Sequence, residues 1–294
     1  MHTSTMPAWR TITSALLLDM RWLRLTYYVM MFVLGICLGI KTQETSGNLA
    51  PLDNTAFIKP VILTIISIIL AGLSSIVVNN LADLPIDQLV NRDRPLISTN
   101  IAHQHYAWGG RVAALAAIIC SATVNLATCL TIIAVMLNYY LYSAPPVRYK
   151  RITVLSKLVI STNSLALTLL GYRTCGASLA LFSPLLIIAI LLPGTIAANY
   201  IDLKDYSGDL AHNIMTLPVL LGHKLASIII GGGFIVTYIL LALLLQQHYY
   251  LLLFGASGLI MYYLVTKIPY SDRLVTLWQV LNIASLCILL LYAP

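Results

Sequence analysis

Apolar residues run along this chain in long uncharged stretches, not in the alternation of a strand or the one-sided stripe of a soluble helix. Residues 61–78, 174–201 and 274–294 contain no Asp, Glu, Lys or Arg. Residues 112–147 and 225–266 are also uncharged and long enough for two helices each, with Gln246, Gln247 and His248 marking the bend in the second. About 20 apolar residues cross the hydrocarbon core as a helix, whose backbone bonds are satisfied internally. Adding segments 27–40 and 152–170 predicts an all-α polytopic membrane protein of about nine transmembrane helices. It forms one domain over residues 1–294, in which 1–21 is a cytoplasmic or interfacial segment.

Composition agrees and excludes the soluble classes: 59% of residues are hydrophobic and 9% charged, whereas soluble domains carry about a quarter charged. With nine spans the termini lie on opposite sides, and basic residues choose between them. Arg10, Arg21, Arg24, Arg92, Arg94, Arg148, Lys150, Arg151, Lys204, Lys224, Lys267 and Arg273 fall on the amino-terminal side, and only Lys41, Lys59 and Arg173 on the other. The expected location is therefore the cell membrane, with the amino terminus in the cytoplasm. The net charge of +7 reports topology first, and nucleic acid is not an expected partner because no soluble basic domain exists. Residues 1–24 carry three arginines and Asp19 before the first span, unlike a secretory signal. The five cysteines have no paired spacing and read as small packing residues.

Against this background the acids are unevenly placed. Six of ten carboxylates gather in two short loops, each closing an uncharged run. The first holds Asn79, Asp83 and Asp87, then Asp93; the second holds Asp202, Asp205 and Asp209. Both loops are expected on the cytoplasmic side. The sequences 76–80 and 196–200 lie 120 positions apart and share an apolar-to-Asn ending, as a duplicated four-helix unit with a ninth helix appended would produce. Two equivalent loops could then face one central cavity.

Spacings of four and four put Asn79, Asp83 and Asp87 on one helical face. Pro85 should kink or end that helix. Asp202, Asp205 and Asp209, at three and four, fit one face as well, and Gly208 permits a close approach. Carboxylates so spaced suit Mg²⁺, which keeps several waters and takes one or two carboxylates plus phosphate oxygens. Arg92, Arg94, Arg148, Lys150 and Lys204 are candidate cations for a diphosphate. His103 and His105 form a His-x-His without a third ligand and read as an exposed loop.

These residues resemble the UbiA superfamily of intramembrane prenyltransferases. The resemblance rests on Asn79, Asp83 and Asp87 followed by Arg94-Pro95-Leu96, on Asp205 and Asp209 followed by Thr216-Leu217-Pro218, and on the element from Tyr142 to Arg151. His212-Asn213 departs from a glycine that many relatives carry there. The resemblance implies a bilayer-embedded, Mg²⁺-dependent enzyme that ionises a polyprenyl diphosphate and transfers the prenyl group to a small aromatic or lipid acceptor. It implies metal ligation by Asp83, Asp87, Asp205 and Asp209, with Asn79 and Asp202 in support. Asn79, Arg92, Arg94, Arg148, Lys150, Lys204 and Tyr142 would contact the diphosphate. Tyrosines such as Tyr139, Tyr140, Tyr142 and Tyr200 are candidate walls for the allylic cation, and His212 is a candidate proton acceptor. A terpene cyclase shares the ionisation without the acceptor. An ion-coupled transporter would bind its ions nearer the bilayer midplane.

Overall fold

The computed structural model describes residues 8–47, 54–90, 94–98, 101–211, 214–244 and 248–292. In chain order the helices are α1 (Ala8–Asp19), α2 (Trp22–Thr45), α3 (Asn54–Ala82), α4 (Leu84–Val90), α5 (Pro95–Ser98), α6 (His103–Ala122) and α7 (Leu126–Ser143). They continue as α8 (Thr153–Thr174), α9 (Pro184–Ala197), α10 (Tyr206–Ala211), α11 (Leu217–Leu221), α12 (His223–Leu244), α13 (His248–Thr266) and α14 (Asp272–Tyr292). The described residues form no strand, only an isolated parallel bridge between Ile152 and Met215.

Among the described residues, each of the nine segments expected to span contains a helix. Six regions are long and apolar enough to cross a membrane among the described residues: Trp22–Thr45, Ala56–Pro85, Leu126–Ser143, Pro184–Leu203, His223–Leu243 and Asp272–Tyr292. Tyr250–Thr266 is apolar but shorter. Two further helices, α6 and α8, fall outside that set and carry more polar residues. α6 begins His103-Gln104-His105 and carries Arg111, while α8 buries Ser156, Lys157, Ser161, Asn163, Ser164 and Thr168. The count of nine spans is thus an expectation, which six regions match by length and apolarity. Large apolar side chains such as Leu130, Leu192, Leu252 and Leu259 stand exposed, as a lipid-facing surface requires.

The chain divides into two compact units. The first comprises Met1–Leu25 and Ile58–Arg148. Its core joins Ala15 and Leu16 of α1, Val77 of α3, Leu96 of α5, and Ile101 and Tyr106 around the start of α6. Gly110 lets α6 approach α3 closely, since a Cβ there would meet Val77 at 2.6 Å. Asn125 caps α7, accepting from the Thr128 amide at 2.8 Å.

The second unit comprises Thr26–Phe57 and Tyr149–Pro294. Here α2 and α8 touch backbone to backbone: a Cβ on Gly35 would collide with the Thr168 carbonyl, and one on Gly171 with that of Phe32. Small residues are the usual means of such contacts inside membranes. A second core forms where Tyr172 meets Phe182 edge-to-face at 5.0 Å, with Ala177 and Leu186 buried beside them.

Candidate active site

The first carboxylate cluster lies in the first unit, where α3 gives way to α4. The helix stops at Ala82, Asp83 forms a turn, and α4 restarts with Pro85 in its first turn, where a missing N–H costs nothing. The break does not scatter the acids. The Asp83 amide donates to the Asn79 carbonyl and the Asp87 amide to that of Asp83, both at 2.9 Å. Asn79, Asp83 and Asp87 therefore stay stacked at four-residue intervals, as their spacing predicts.

Two arginines meet the stacked acids. Arg148 Nη2 donates to Asp83 Oδ1 at 2.9 Å and to the Ala82 carbonyl at 3.3 Å. Arg94 pairs with the buried Asp87 and reaches Asn80 Oδ1 at 3.4 Å. Asn79 Oδ1 accepts from Ser143 Oγ at 3.2 Å. Arg148 adopts φ +45°, a left-handed conformation that costs a bulky residue energy. Its Nε is buried without a hydrogen bond, and burial lowers its guanidinium pKa. One arm of Arg148 is thus committed to Asp83 and another donor is open, beside a pair of carboxylates.

The second cluster lies in the second unit, after α9. The chain tightens from α-helix into a 3-10 turn over Ala198–Leu203 and then enters α10. The hydrogen bonds follow the spacing of the acids: the Asp205 amide donates to the Asp202 carbonyl at 3.2 Å, and the Asp209 amide to that of Asp205 at 2.8 Å. Asp205 is exposed, Asp209 half-buried and Asp202 buried. Burial pushes the Asp209 carboxyl up to about 6, and the charges of Asp202 and Asp205 add to the rise. The nearby Thr216 hydroxyl and the Lys157 ammonium pull it the other way. Asp202, expected to support a metal, accepts from Lys157 Nζ at 2.6 Å, and that lysine is 2% exposed.

Asn199 opens this cluster as Asn79 opens the first. Its Nδ2 donates to the carbonyls of Thr195 and Ile196, both at 3.0 Å, and its buried Oδ1 makes no hydrogen bond. Asn199, Lys157 and Ser143 thus stand in or against the two clusters, although the sequence reading gave them no role. The 120-residue echo pointed to Asn199, and a lone lysine within an apolar helix is itself a signal of function.

Lys204 is exposed and pairs with Asp272 at 3.3 Å. Lys150 lies in the 3-10 turn Tyr149–Arg151, and Tyr142 stands edge-to-face with Tyr139 at 6.2 Å. Arg92, Asp93 and His212 fall outside the described residues. Among the described residues no three His, Cys, Asp or Glu side chains converge as a metal cage. Mg²⁺ does not need one, since substrate oxygens and water complete its octahedron. Two stacked carboxylates with an amide oxygen above them, an open arginine donor, and an unpartnered amide oxygen in the second cluster fit that chemistry.

Comparison with known proteins gives a consistent picture. The UbiA prenyltransferase family matches residues 45–286, whereas no curated protein sequence matches the chain. A UbiA homolog from Archaeoglobus fulgidus bound to GPP and Mg²⁺ shares the fold at TM-score 0.72 and 18% identity, over 94% of this chain and 99% of that one. An apo UbiA homolog from Aeropyrum pernix K1 aligns at TM-score 0.61 and 18% identity, over 90% of this chain and 94% of its own. A digeranylgeranylglyceryl phosphate synthase structure aligns at TM-score 0.59 and 18% identity, over 97% and 99% of the two chains. The match runs through both carboxylate clusters and most of the helices that carry them, so the chain belongs to the UbiA prenyltransferase family.

Proposed function

We propose that this protein is an intramembrane prenyltransferase that ionises a polyprenyl diphosphate with Mg²⁺ and transfers the prenyl group to a small aromatic or lipid acceptor. The observation that carries the reading is the first cluster: three stacked ligand-type side chains, each carboxylate met by an arginine, one of which keeps a buried donor open. The solved homolog bound to GPP and Mg²⁺ supports the same chemistry.

Asp83 and Asp87 would hold one metal and Asp205 and Asp209 another, with Asn79 in support. Asn199 joins them as a candidate oxygen ligand. Asp202 acts through its pair with Lys157, holding the start of the second loop. When bound, Mg²⁺ would neutralise the charge that builds on the departing diphosphate. Arg148 would donate Nε to a phosphate oxygen without leaving Asp83, and Arg94, kept beside Asp87, would add positive charge near the same anion. Arg92, Lys150 and Lys204 would supply further positive charge around it. Cations aimed at developing negative charge are the main means of lowering such a barrier. Apolar helices keep water from the allylic cation. The basic-residue bias supports a cytoplasmic position for both loops, which cysteine labelling from either side of sealed vesicles would check.

The test is diphosphate release from farnesyl or geranylgeranyl diphosphate by purified protein. Asp83→Ala and Asp209→Ala should each lower turnover by about a hundredfold or more, the scale of losing a group that stabilises developing charge. Chelation of Mg²⁺ should abolish it. Unchanged turnover in both variants would remove the proposed roles. Terpene hydrocarbon or alcohol formed at full rate without an acceptor would instead mark a cyclase.

A further inference from the structure

Beneath the first cluster lies a polar chain that packing alone does not explain. Asp19 is the last residue of α1, and it is buried. A carboxylate at a helix carboxyl end opposes the macrodipole, and burial adds a desolvation cost. Its partner is Tyr106 of α6, which is fully buried and whose hydroxyl donates to Asp19 Oδ2 at 2.7 Å. The same hydroxyl accepts from Asn80 Nδ2 at 3.0 Å. Asn80 Oδ1 then faces two guanidiniums, Arg21 Nη2 and Arg94 Nη1, each at 3.4 Å, and Arg94 pairs with Asp87.

This chain has a direction. A carboxylate only accepts, so the tyrosine proton is committed to Asp19 and the phenol oxygen must receive from an amide N–H. That fixes which end of Asn80 points at the arginines. With its carbonyl end turned to them, Asn80 holds the Arg94 guanidinium beside Asp87. Were the hydroxyl absent, Asn80 could flip and present N–H groups to two cations, displacing Arg94.

We propose that Asp19 and Tyr106 are positioning residues for the first carboxylate cluster, acting through Asn80 and Arg94 to set the orientation and charge balance of Asp87. The inference rests on the reading that Asp87 holds a metal. It assigns α1, the amino-terminal segment, a part in metal binding although none of its residues need touch metal or substrate.

The test uses the full chain, purified in lipid nanodiscs, and two readouts. One is Mn²⁺ binding by electron paramagnetic resonance in the presence of an unreactive prenyl thiolodiphosphate; the other is the Mg²⁺ half-saturation of diphosphate release. Tyr106→Phe and Asp19→Leu should each weaken metal binding about tenfold, since groups that hold a metal ligand in place typically contribute 10–100-fold. Asp19→Asn keeps an acceptor oxygen for the tyrosine and should bind metal nearly as well as the parent. In an Asp87→Asn background the effect of Tyr106→Phe should vanish, because coupled residues are not additive. Metal binding unchanged by Tyr106→Phe overturns the inference. So does a loss that tracks melting temperature alone and persists without Asp87. Should Asp19→Leu not fold, Tyr106→Phe, which removes one oxygen and no ring, decides by itself. A parent protein that binds no Mn²⁺ with the analogue would overturn the functional reading and this inference together, whereas binding that Tyr106→Phe leaves intact overturns only the inference.

Discussion

Replacing Asp202 by Asn would leave the Lys157 ammonium buried without its counter-charge, and breaking such a pair on one side costs about 3–5 kcal/mol. Thermal melts should show Asp202→Asn far less stable than the parent, while Asp205→Asn, at an exposed position, melts nearly unchanged. Replacing both partners, as in Lys157→Met with Asp202→Leu, should recover most of the loss. Asp209 offers a second test, through pH. Its carboxyl rises from an ordinary 3.8 to about 6 on folding, so the folded state prefers the neutral form. The stability this gives is fully present below about pH 3.8 and is lost as pH rises through about 6. The metal-free protein should therefore melt higher at pH 5 than at pH 7.5, and Asp209→Asn should flatten that slope. The alignment of Asp83 with Asp87 and of Asp205 with Asp209 was legible in the sequence because helical spacing is local. The partnership of Lys157 with Asp202 was not, because it joins residues 45 positions apart whose meeting depends on how α8 packs. Asn80 was hidden for the same reason: only the placement of Tyr106 and two arginines gives its amide a task.

At the level of elements, the ends of helices were easier to read than their neighbours. Pro85 marks where α3 yields to α4, as a residue without an N–H must, yet the backbone bonds through Asp83 keep the acids aligned across the break. The contact of α2 with α8 left no such mark, since a glycine in an apolar helix does not name the helix it touches. Gly35→Ala should lower the melting temperature by several degrees, because the Thr168 carbonyl occupies the place of the new methyl. Gly232→Ala, where nothing lies within 4 Å, should be neutral or stabilising by up to about 1 kcal/mol, the usual preference of a helix for alanine. A pair of melts decides between close helix contact and simple helix propensity. The polar face of α8 also explains why counting apolar runs separates spans unevenly. Its serines, Asn163 and Lys157 lower the hydropathy of a helix that is nonetheless buried along that face.

For the molecule as a whole, the uncharged runs and the few, gathered acids sufficed to predict an all-helical membrane protein of this family, and the fold and the family match agree. The acceptor was not legible, because no residue type along the chain encodes the shape of a small molecule. The buried pair of Lys157 and Asp202 has a consequence for biogenesis. A lone ammonium inside a helix raises the insertion penalty by about 2.5–3.5 kcal/mol at its most central placement, and the carboxylate that offsets it emerges from the ribosome 45 residues later. α8 should therefore enter the bilayer together with α9, as a hairpin, once Asp202 has left the exit tunnel. Glycosylation mapping of the nascent chain should find α8 integrated less efficiently with Asp202→Ala than with the native residue.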